Sequence, residues 1–404
     1  MKRIISLLLV IALLLTGIAA LAEGNVIDSA TERNISIQPA GDNEIPEGVS
    51  PTTGRNLAEV RETVPETSLG MAVTGRYLPV MVQIVNNKDA TGAFAPLNAA
   101  SADIVYQTML YSDGRDRMTM IFCDVIPDYI GYVRSTRLTH LKIRQEWDCP
   151  YVTSGFAPSA LERLSAYGLT QKSPILFVGD YLDTNKIVGR IKGKQGVTVP
   201  GGASNEVFHL KGVVEDMVSE DCLPRTHAFR FTDEKPQGGD EATFIYVNLA
   251  NGSDADMFNS RLEYDEETNT YTRYLTRGNK PVAYADNHPD NLTIVRNEMD
   301  REKWDYLVDA LIPGEEFEFS NVIVQFVDYN WISFEAPDPI LVGTGNADYF
   351  MGGRHLAGVW QRIDDNSRTV FYGENGEEIE LQRGKTLIIL ADTSRGEEHY
   401  ISFE

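Results

Sequence analysis

Cysteine is scarce in this chain: three in 404 residues, Cys123, Cys149 and Cys222, an odd and widely spaced set. A disulfide-stapled scaffold needs paired cysteines at short spacing, and a structural zinc site needs four close ligands, so both are excluded. Histidine is also thin, six in all. None forms H-E-x-x-H, and Thr153-Ser154-Gly155 lacks the preceding glycine of a nucleophile elbow. Gly384-Lys385-Thr386 ends like a phosphate loop, but Ile379 stands where that loop requires glycine. The acidic stretches 113–117 and 254–256 do not follow calcium-loop spacing and read as solvated turns.

Positive charge is short as well, 36 Lys+Arg against 59 Asp+Glu, a formal net charge of −23. Nonspecific attachment to nucleic acid or to an anionic bilayer depends on basic surface, so neither partner is expected. Long apolar runs are missing except at the start. Ile4 to Ala22 carries no charge, follows Lys2 and Arg3, and closes on Ala20-Leu21-Ala22. It reads as a secretory signal with a small-x-small cleavage site, or as an uncleaved anchor just long enough to cross a bilayer. The expected location is extracytoplasmic, secreted or tethered to the outer face of the cytoplasmic membrane, with membrane contact only through this N-terminal segment.

What is present is ordinary globular material, 42% hydrophobic and 24% charged. Its length exceeds the roughly 250–300 residues that one core serves, which predicts two folded units. Residues 23–75 are rich in acids and contain Pro39, Pro46, Pro51 and Pro65, with apolar residues too scattered to define a face, and read as a disordered tether. The fold class expected is α+β: a mixed-sheet α/β N-terminal domain over residues 76–235, packed against a β-rich C-terminal domain over residues 240–404.

In the first domain, Leu78 to Val85 is a short apolar run predicted to be a strand buried on both faces. Asp103 to Tyr111 and Arg117 to Val125 flank a turn at Asp113-Gly114 as a hairpin. Helices are predicted over 138–147, 158–167 and 205–219, with a strand at 151–154, and a lone helix over 301–311. The second domain shows a hairpin, 261–264 with 271–275, and strands at 321–327, 356–363, 369–372, 379–381 and 386–391.

One stretch reverses the charge of the whole. Between Tyr129 and Gln145 stand Arg134, Arg137, His140, Lys142 and Arg144 with no carboxylate. The helix there is expected to start with Ser135 or Thr136 as N-cap, and a helix start presents free backbone N–H groups. On a helical projection Arg137, His140 and Arg144 share one face. Two readings are open: a solvated basic face, or an anion site where guanidinium forks and backbone donors converge. Asp103 and Arg117, on the hairpin pair, are expected to approach each other across adjacent strands as an ion pair. A Cys149 thiolate served by a distant base such as His227 is a further possibility, as is a pair of carboxylates.

These segments also carry a family resemblance. LPVMVQIVNN, ASADIVYQTMLYSDGRDRMTMIF, IGYVRSTR and PYVTSGFAPSA, followed by FSNVIVQF, GTGNADYFMGGRHLAGVWQRI and FYGENGEEIELQRGKTLIIL, resemble in content and order the YerB-like lipoproteins. That is a bacterial family of two domains of unknown function. The resemblance covers most of the folded chain, with three departures. The lipid-bearing cysteine is missing from the end of the signal. Thr153 and Ala157 stand where the family tends to have His and Ser. Thr226, His227 and Ala228 stand where it has a Pro-His-Asn element. Arg134, Ser135 and Arg137 are kept, which implies binding rather than turnover. The ligand-binding candidates are therefore Arg134, Ser135, Arg137, His140 and Arg144, with Asp103, Arg117, Thr153, Ser154 and His227. No catalytic residue, metal or cofactor is assigned. The expected role is that of a noncatalytic envelope protein whose anion-accepting cleft takes an anionic cell-wall component, or which meets an envelope protein. A cell-wall-directed hydrolase and a structural or protein-interaction module are the alternatives.

Overall fold

The computed structural model describes residues 25–26, 33–40, 46–70, 78–85, 98–179, 187–193, 206–217, 229–249, 259–277, 280–283, 292–295, 317–393 and 401–404, less residues 39, 65, 113 and 132. The N-terminal signal, the helix expected over 301–311, Cys222 and His227 lie outside them. No helix among the described residues is long and apolar enough to cross a membrane.

The fold is α+β, with a β-rich C-terminal part, and one large mixed sheet organises it. Its strands in chain order are β1 (Val80–Val85), β2 (Ile104–Met109), β3 (Asp116–Phe122), β4 (Tyr151–Thr153), β5 (Leu176–Val178), β6 (Asp240–Glu241), β7 (Asn321–Val327), β8 (Gly343–Met351), β9 (Arg354–Arg362), β10 (Val370–Gly373) and β11 (Thr386–Asp392). Across the sheet they run β6-β9-β8-β7-β11-β2-β3-β1-β4-β5, with β10 also paired to β9. The short helices are α1 (Leu57–Thr63), α2 (Leu138–Trp147), α3 (Pro158–Arg163) and α4 (Leu210–Met217).

The two halves of the chain share this sheet rather than pack as separate bodies. β11 lies parallel between β7 and β2, with Leu387 opposite Val322 on one side and Val105 on the other. Both faces of the sheet are buried, which is why these strands read as continuous apolar runs. Alternate residues divide cleanly: Leu387 and Ile389 face one core with Val82, Met120 and Val322, while Ile388 and Leu390 face the other with Met81, Ile121 and Ile323. The first core is closed by α4 and a seven-stranded sheet that includes Phe244–Val247, Ser260–Asp265 and Ile401–Phe403. The second is closed by α2, through Leu138, Leu141, Ile143 and Trp147.

The stretch 23–75 is not a tether throughout: residues 46–70 include α1, and Ser50, Thr52 and Thr53 are buried against the large sheet. Arg33 is anchored too, its guanidinium holding Asp348 at 3.0 and 3.1 Å. A polar segment with few apolar residues is held by hydrogen bonds to buried carboxylates, a mode of anchoring that hydropathy does not register. The helix expected over 205–219 begins only at Leu210, because Glu206–Phe208 pairs as a strand with Ile187–Gly193 and Ile130–Gly131.

Candidate functional site

The site is assembled where the start of β3 and the end of β1 meet the segment that leads into α2. Val133 bridges Ile84 of β1, and the Arg134 N–H donates to the Gln83 carbonyl at 2.9 Å. On its other side the segment is stitched to the strand-turn after β4. The Thr136 N–H donates to Gly155 O at 2.8 Å, the Ala157 N–H to Thr136 O at 2.9 Å, and the Thr153 hydroxyl to Arg134 O at 2.9 Å. Residues 133–136 therefore enter α2 along a fixed path.

The helix N-cap is Arg137, not Ser135 or Thr136. The Thr136 hydroxyl is spent on Tyr151 Oη, 2.7 Å away, and on Thr153, 2.9 Å away, so it cannot cap. The cap interaction runs the other way: the Arg137 backbone N–H donates to His140 Nδ1 at 2.9 Å. With Nδ1 accepting, the imidazole proton sits on Nε2, which faces the Thr108 hydroxyl at 3.5 Å. Burial and then the charges of Arg117 and Arg137 push the His140 pKa well below the usual histidine range, so the ring is neutral.

Three guanidinium groups gather at this point. Arg117 projects from β3 on the face opposite Met118, towards α2, and donates through Nη1 to the Ser135 carbonyl. Arg137 donates to the same carbonyl at 3.2 Å and to Thr136 O at 3.4 Å. Arg117 is 3% exposed and Arg137 8%. The Nε atoms of Arg117, Arg134 and Arg137 are all buried without a hydrogen-bond partner. No carboxylate among the described residues forms an ion pair with any of them. Burial, reinforced by Arg137 and Arg134, drives the Arg117 pKa well down; burial lowers that of Arg137 as well, against the opposing influence of Tyr111 and Glu335. A like-charged cluster with unmet donors and no ion-paired carboxylate among the described residues is the arrangement that an anion completes.

The remaining candidates fall elsewhere or serve structure. Arg144 does not join the cluster: it donates to Cys149 O at 3.1 Å and to Asp148 at 3.1 Å, closing the C-terminal end of α2. Thr153 is fully buried and its hydroxyl is engaged with Thr136 and Arg134; Ser154 is buried beside it, its N–H donating to Arg134 O at 3.2 Å. Asp103 and Arg117 do not meet. Thr108 is the residue opposite Arg117, while Asp103 lies about five residues away along the strand pair, on the order of 16 Å.

Asp103 belongs to a second buried cluster. Its Oδ2 accepts from the Thr52 hydroxyl at 2.7 Å and from the Cys123 and Asp124 N–H groups at 2.9 Å, while Asp124 takes the hydroxyls of Ser50 and Thr53 at 2.5 and 2.6 Å. Asp103, Cys123 and Asp124 offer ligand atoms within 4.8 Å of one another. These carboxylates are already engaged with the hydroxyls that fasten residues 50–53 to the sheet. Cys149 is buried and its thiol is pushed up to about 12 by that burial, so no thiolate is available for nucleophilic attack near neutral pH.

A cleft of about 920 Å³ opens apart from the arginines, lined in part by Arg230, Asp240, His355, Glu374, Glu377 and Glu380. Its lining is acidic, the opposite of an anion receptor. Sequence reasoning did not place Tyr111, Phe334 and Glu335 beside the arginines. Ser112 N–H donates to Phe334 O at 3.2 Å and the Tyr111 and Phe334 rings lie 5.4 Å apart, a contact over more than two hundred residues that carries no local signal.

Family models match two parts of the chain: the N-terminal domain of a protein of unknown function (DUF3048) over residues 70–177, and its C-terminal domain over residues 250–388. The chain is similar to the crystal structure of the YerB protein from Bacillus subtilis, at 20% identity and a TM-score of 0.59, over 88% of this chain and 99% of that one. At that identity the likeness is one of fold. No curated protein matches the chain.

Proposed function

This chain belongs to the YerB-like, DUF3048 family, and from that premise we propose that it is a noncatalytic, extracytoplasmic binding protein whose receptor is the Arg117, Arg134 and Arg137 cluster. Residues 1–22 carry it out of the cytoplasm, where its ligand is the phosphate or carboxylate group of a cell-envelope component. One observation carries the reading: three neighbouring arginines, two of them meeting at the Ser135 carbonyl, with buried, unpartnered Nε atoms and no carboxylate ion pair among the described residues. Such an arrangement destabilises the empty protein and is relieved by a bound anion, since each hydrogen bond to a charged group contributes about 1.5–3 kcal/mol.

Support for binding over turnover comes from the neighbours. His140 is neutral with Nδ1 already engaged, and Thr153 occupies the position beside the arginines with its hydroxyl tied into backbone contacts. Neither is placed to move a proton. Inorganic phosphate and glycerol phosphate are expected to raise the Tm of the protein in a saturable manner. Arg134→Ala and Arg137→Ala abolish that rise while leaving far-UV circular dichroism unchanged. Absence of any anion-dependent shift in the parent protein refutes the reading.

A further inference from the structure

We propose that the anion received by the arginine cluster is the phosphomonoester head of a lipid, and that the hairpin of residues 329–339 rests on the bilayer that carries it. The inference deepens the anion-site reading and depends on it. Two independent observations lead there: the charge of the cluster and the apolar surface at its rim.

Charge comes first. Arg117 and Arg137 meet at the Ser135 carbonyl and Arg134 acts electrostatically on both; three positive charges so grouped match a dianion with three free oxygens better than a carboxylate, which would leave two of them unmet. A phosphomonoester carries about −1.5 to −2 near neutral pH and offers three acceptor oxygens, whereas a phosphodiester carries only one charge. The forked donors of arginine suit that tetrahedral group.

Four of the six large apolar side chains exposed among the described residues lie within one short stretch: Ile332 and Phe334, each 50% exposed, with Ile340 at 42% and Val342 at 37%. Ile332 and Phe334 lie at the tip of the hairpin formed by Tyr329–Ser333 and Ala336–Pro339, while Ile340 and Val342 follow its base, where the Ile340 N–H donates to Asp328 O at 2.8 Å. Its base is rigid. The Tyr329 and Trp331 rings stack 5.4 Å apart, Trp331 Nε1 donates to Asp392 at 3.1 Å, and Lys142 of α2 holds Asp338 and the Pro339 carbonyl, both at 2.7 Å. The apolar tip is therefore held out on purpose-built supports rather than left slack.

The tip adjoins the receptor. Phe334 packs on Tyr111, whose ring also carries the Arg115 guanidinium 4.0 Å from its centroid. Tyr111 stands three residues beyond Thr108, the residue opposite Arg117 on the neighbouring strand, and it acts electrostatically on both Arg117 and Arg137, as Glu335 does on Arg137. Unpaired positive charge beside an exposed apolar edge is complementary to the boundary between headgroup and acyl chains. The chain as a whole carries −23 and is repelled by densely anionic bilayers. Recognition accordingly requires a minority phosphomonoester lipid in a largely zwitterionic surface, and Glu335 at the tip opposes it.

The test is cosedimentation of the full chain with phosphatidylcholine vesicles, either plain, or containing a minority of phosphatidic acid, or containing the same fraction of phosphatidylglycerol. Any contribution of the N-terminal apolar run is common to all three. Phosphatidic acid should strengthen binding about tenfold over the other two compositions, a gain removed by Ile332→Glu with Phe334→Glu and enlarged by Glu335→Gln. The Ile332→Glu, Phe334→Glu protein should still be stabilised by soluble glycerol phosphate, which shows that it is folded and that the arginines are intact. If glycerol phosphate stabilises the protein but phosphatidic acid adds nothing to vesicle binding, the lipid inference is overturned and the anion site stands. If phosphatidylglycerol serves as well as phosphatidic acid, the phosphomonoester assignment fails. If neither soluble phosphate nor vesicle binds, the anion site falls with it.

Discussion

Arg362 of β9 reaches Glu146 of α2 at 3.1 Å, and both side chains are buried. The second Glu146 oxygen accepts the Thr369 N–H at 2.7 Å, while Arg362 also donates to the carbonyls of Lys142, Asp364 and Asp365. The pair fixes the helix that begins beside the arginine cluster, with Arg137 as its N-cap, to the C-terminal half of the sheet. Removing one partner leaves the other charge buried, so Glu146→Ala should cost about 3–5 kcal/mol in urea unfolding. A loss below about 1 kcal/mol would show that the backbone carbonyls alone satisfy Arg362.

Replacing an arginine of the cluster should do the reverse. The Arg134 side chain has no hydrogen-bond partner among the described residues, and it sits close enough to lower the pKa of both Arg117 and Arg137. Arg134→Met removes a repelled charge and keeps the packing volume. The empty protein should gain about 1–2 kcal/mol in the same unfolding assay while losing its phosphate-dependent Tm shift. A destabilised Arg134→Met protein contradicts the account of the cluster as mutually repelling.

Asp103 gives the protein a pH dependence of definite sign. Burial, and next to it the charge of Asp124, push its carboxyl from 3.8 up to about 8. The folded protein then keeps a proton that the unfolded chain has already released. This stability is complete below about pH 4 and is lost as pH rises towards 8, by at most about 1.4 kcal/mol per pH unit for one proton. Asp103→Asn retains an oxygen for the Thr52, Cys123 and Asp124 donors and cannot ionise. Unfolding measured between pH 5 and 8 should show a flatter decline in the variant. An unchanged slope would assign the dependence to Asp124, which burial also raises.

Arg33 should matter although it lies far from the cluster. Asp348 is fully buried, and it is met by Arg33 and by His355 Nε2 at 2.6 Å. Arg33→Ala leaves that carboxylate with His355 alone, at an expected cost of about 2–3 kcal/mol. Double substitution with Asp348→Asn should recover part of the loss, a coupling that a double-mutant cycle measures.

What the sequence disclosed followed from local pattern. Asn321–Val327 and Leu138–Trp147 lie where local pattern places them, because a continuous apolar run and a helical period are written in adjacent residues. The hairpin at Ser260–Asp265 and Thr270–Arg277 was announced by the polar turn between its strands. The order of strands was not legible: nothing near Ile104 signals that Thr386–Asp392 will lie beside it. For the site, Arg134 and Arg137 stood out by charge, yet the same charge pattern misled over Arg144, whose partner Asp148 lies only four residues on. Neighbouring strands suggest a pairing of Arg117 with Asp103, and strand register alone separates them.

The parallel seam between β11 and β2 has a bearing on how the protein can be made. β2 is flanked on one side by its hairpin partner and on the other by a strand that is synthesised some 280 residues later. Until that late strand arrives, the polypeptide carries an unfinished apolar ribbon open to any other strand it meets. Cutting the coding sequence at the family boundary would therefore give two sticky fragments rather than two workable modules.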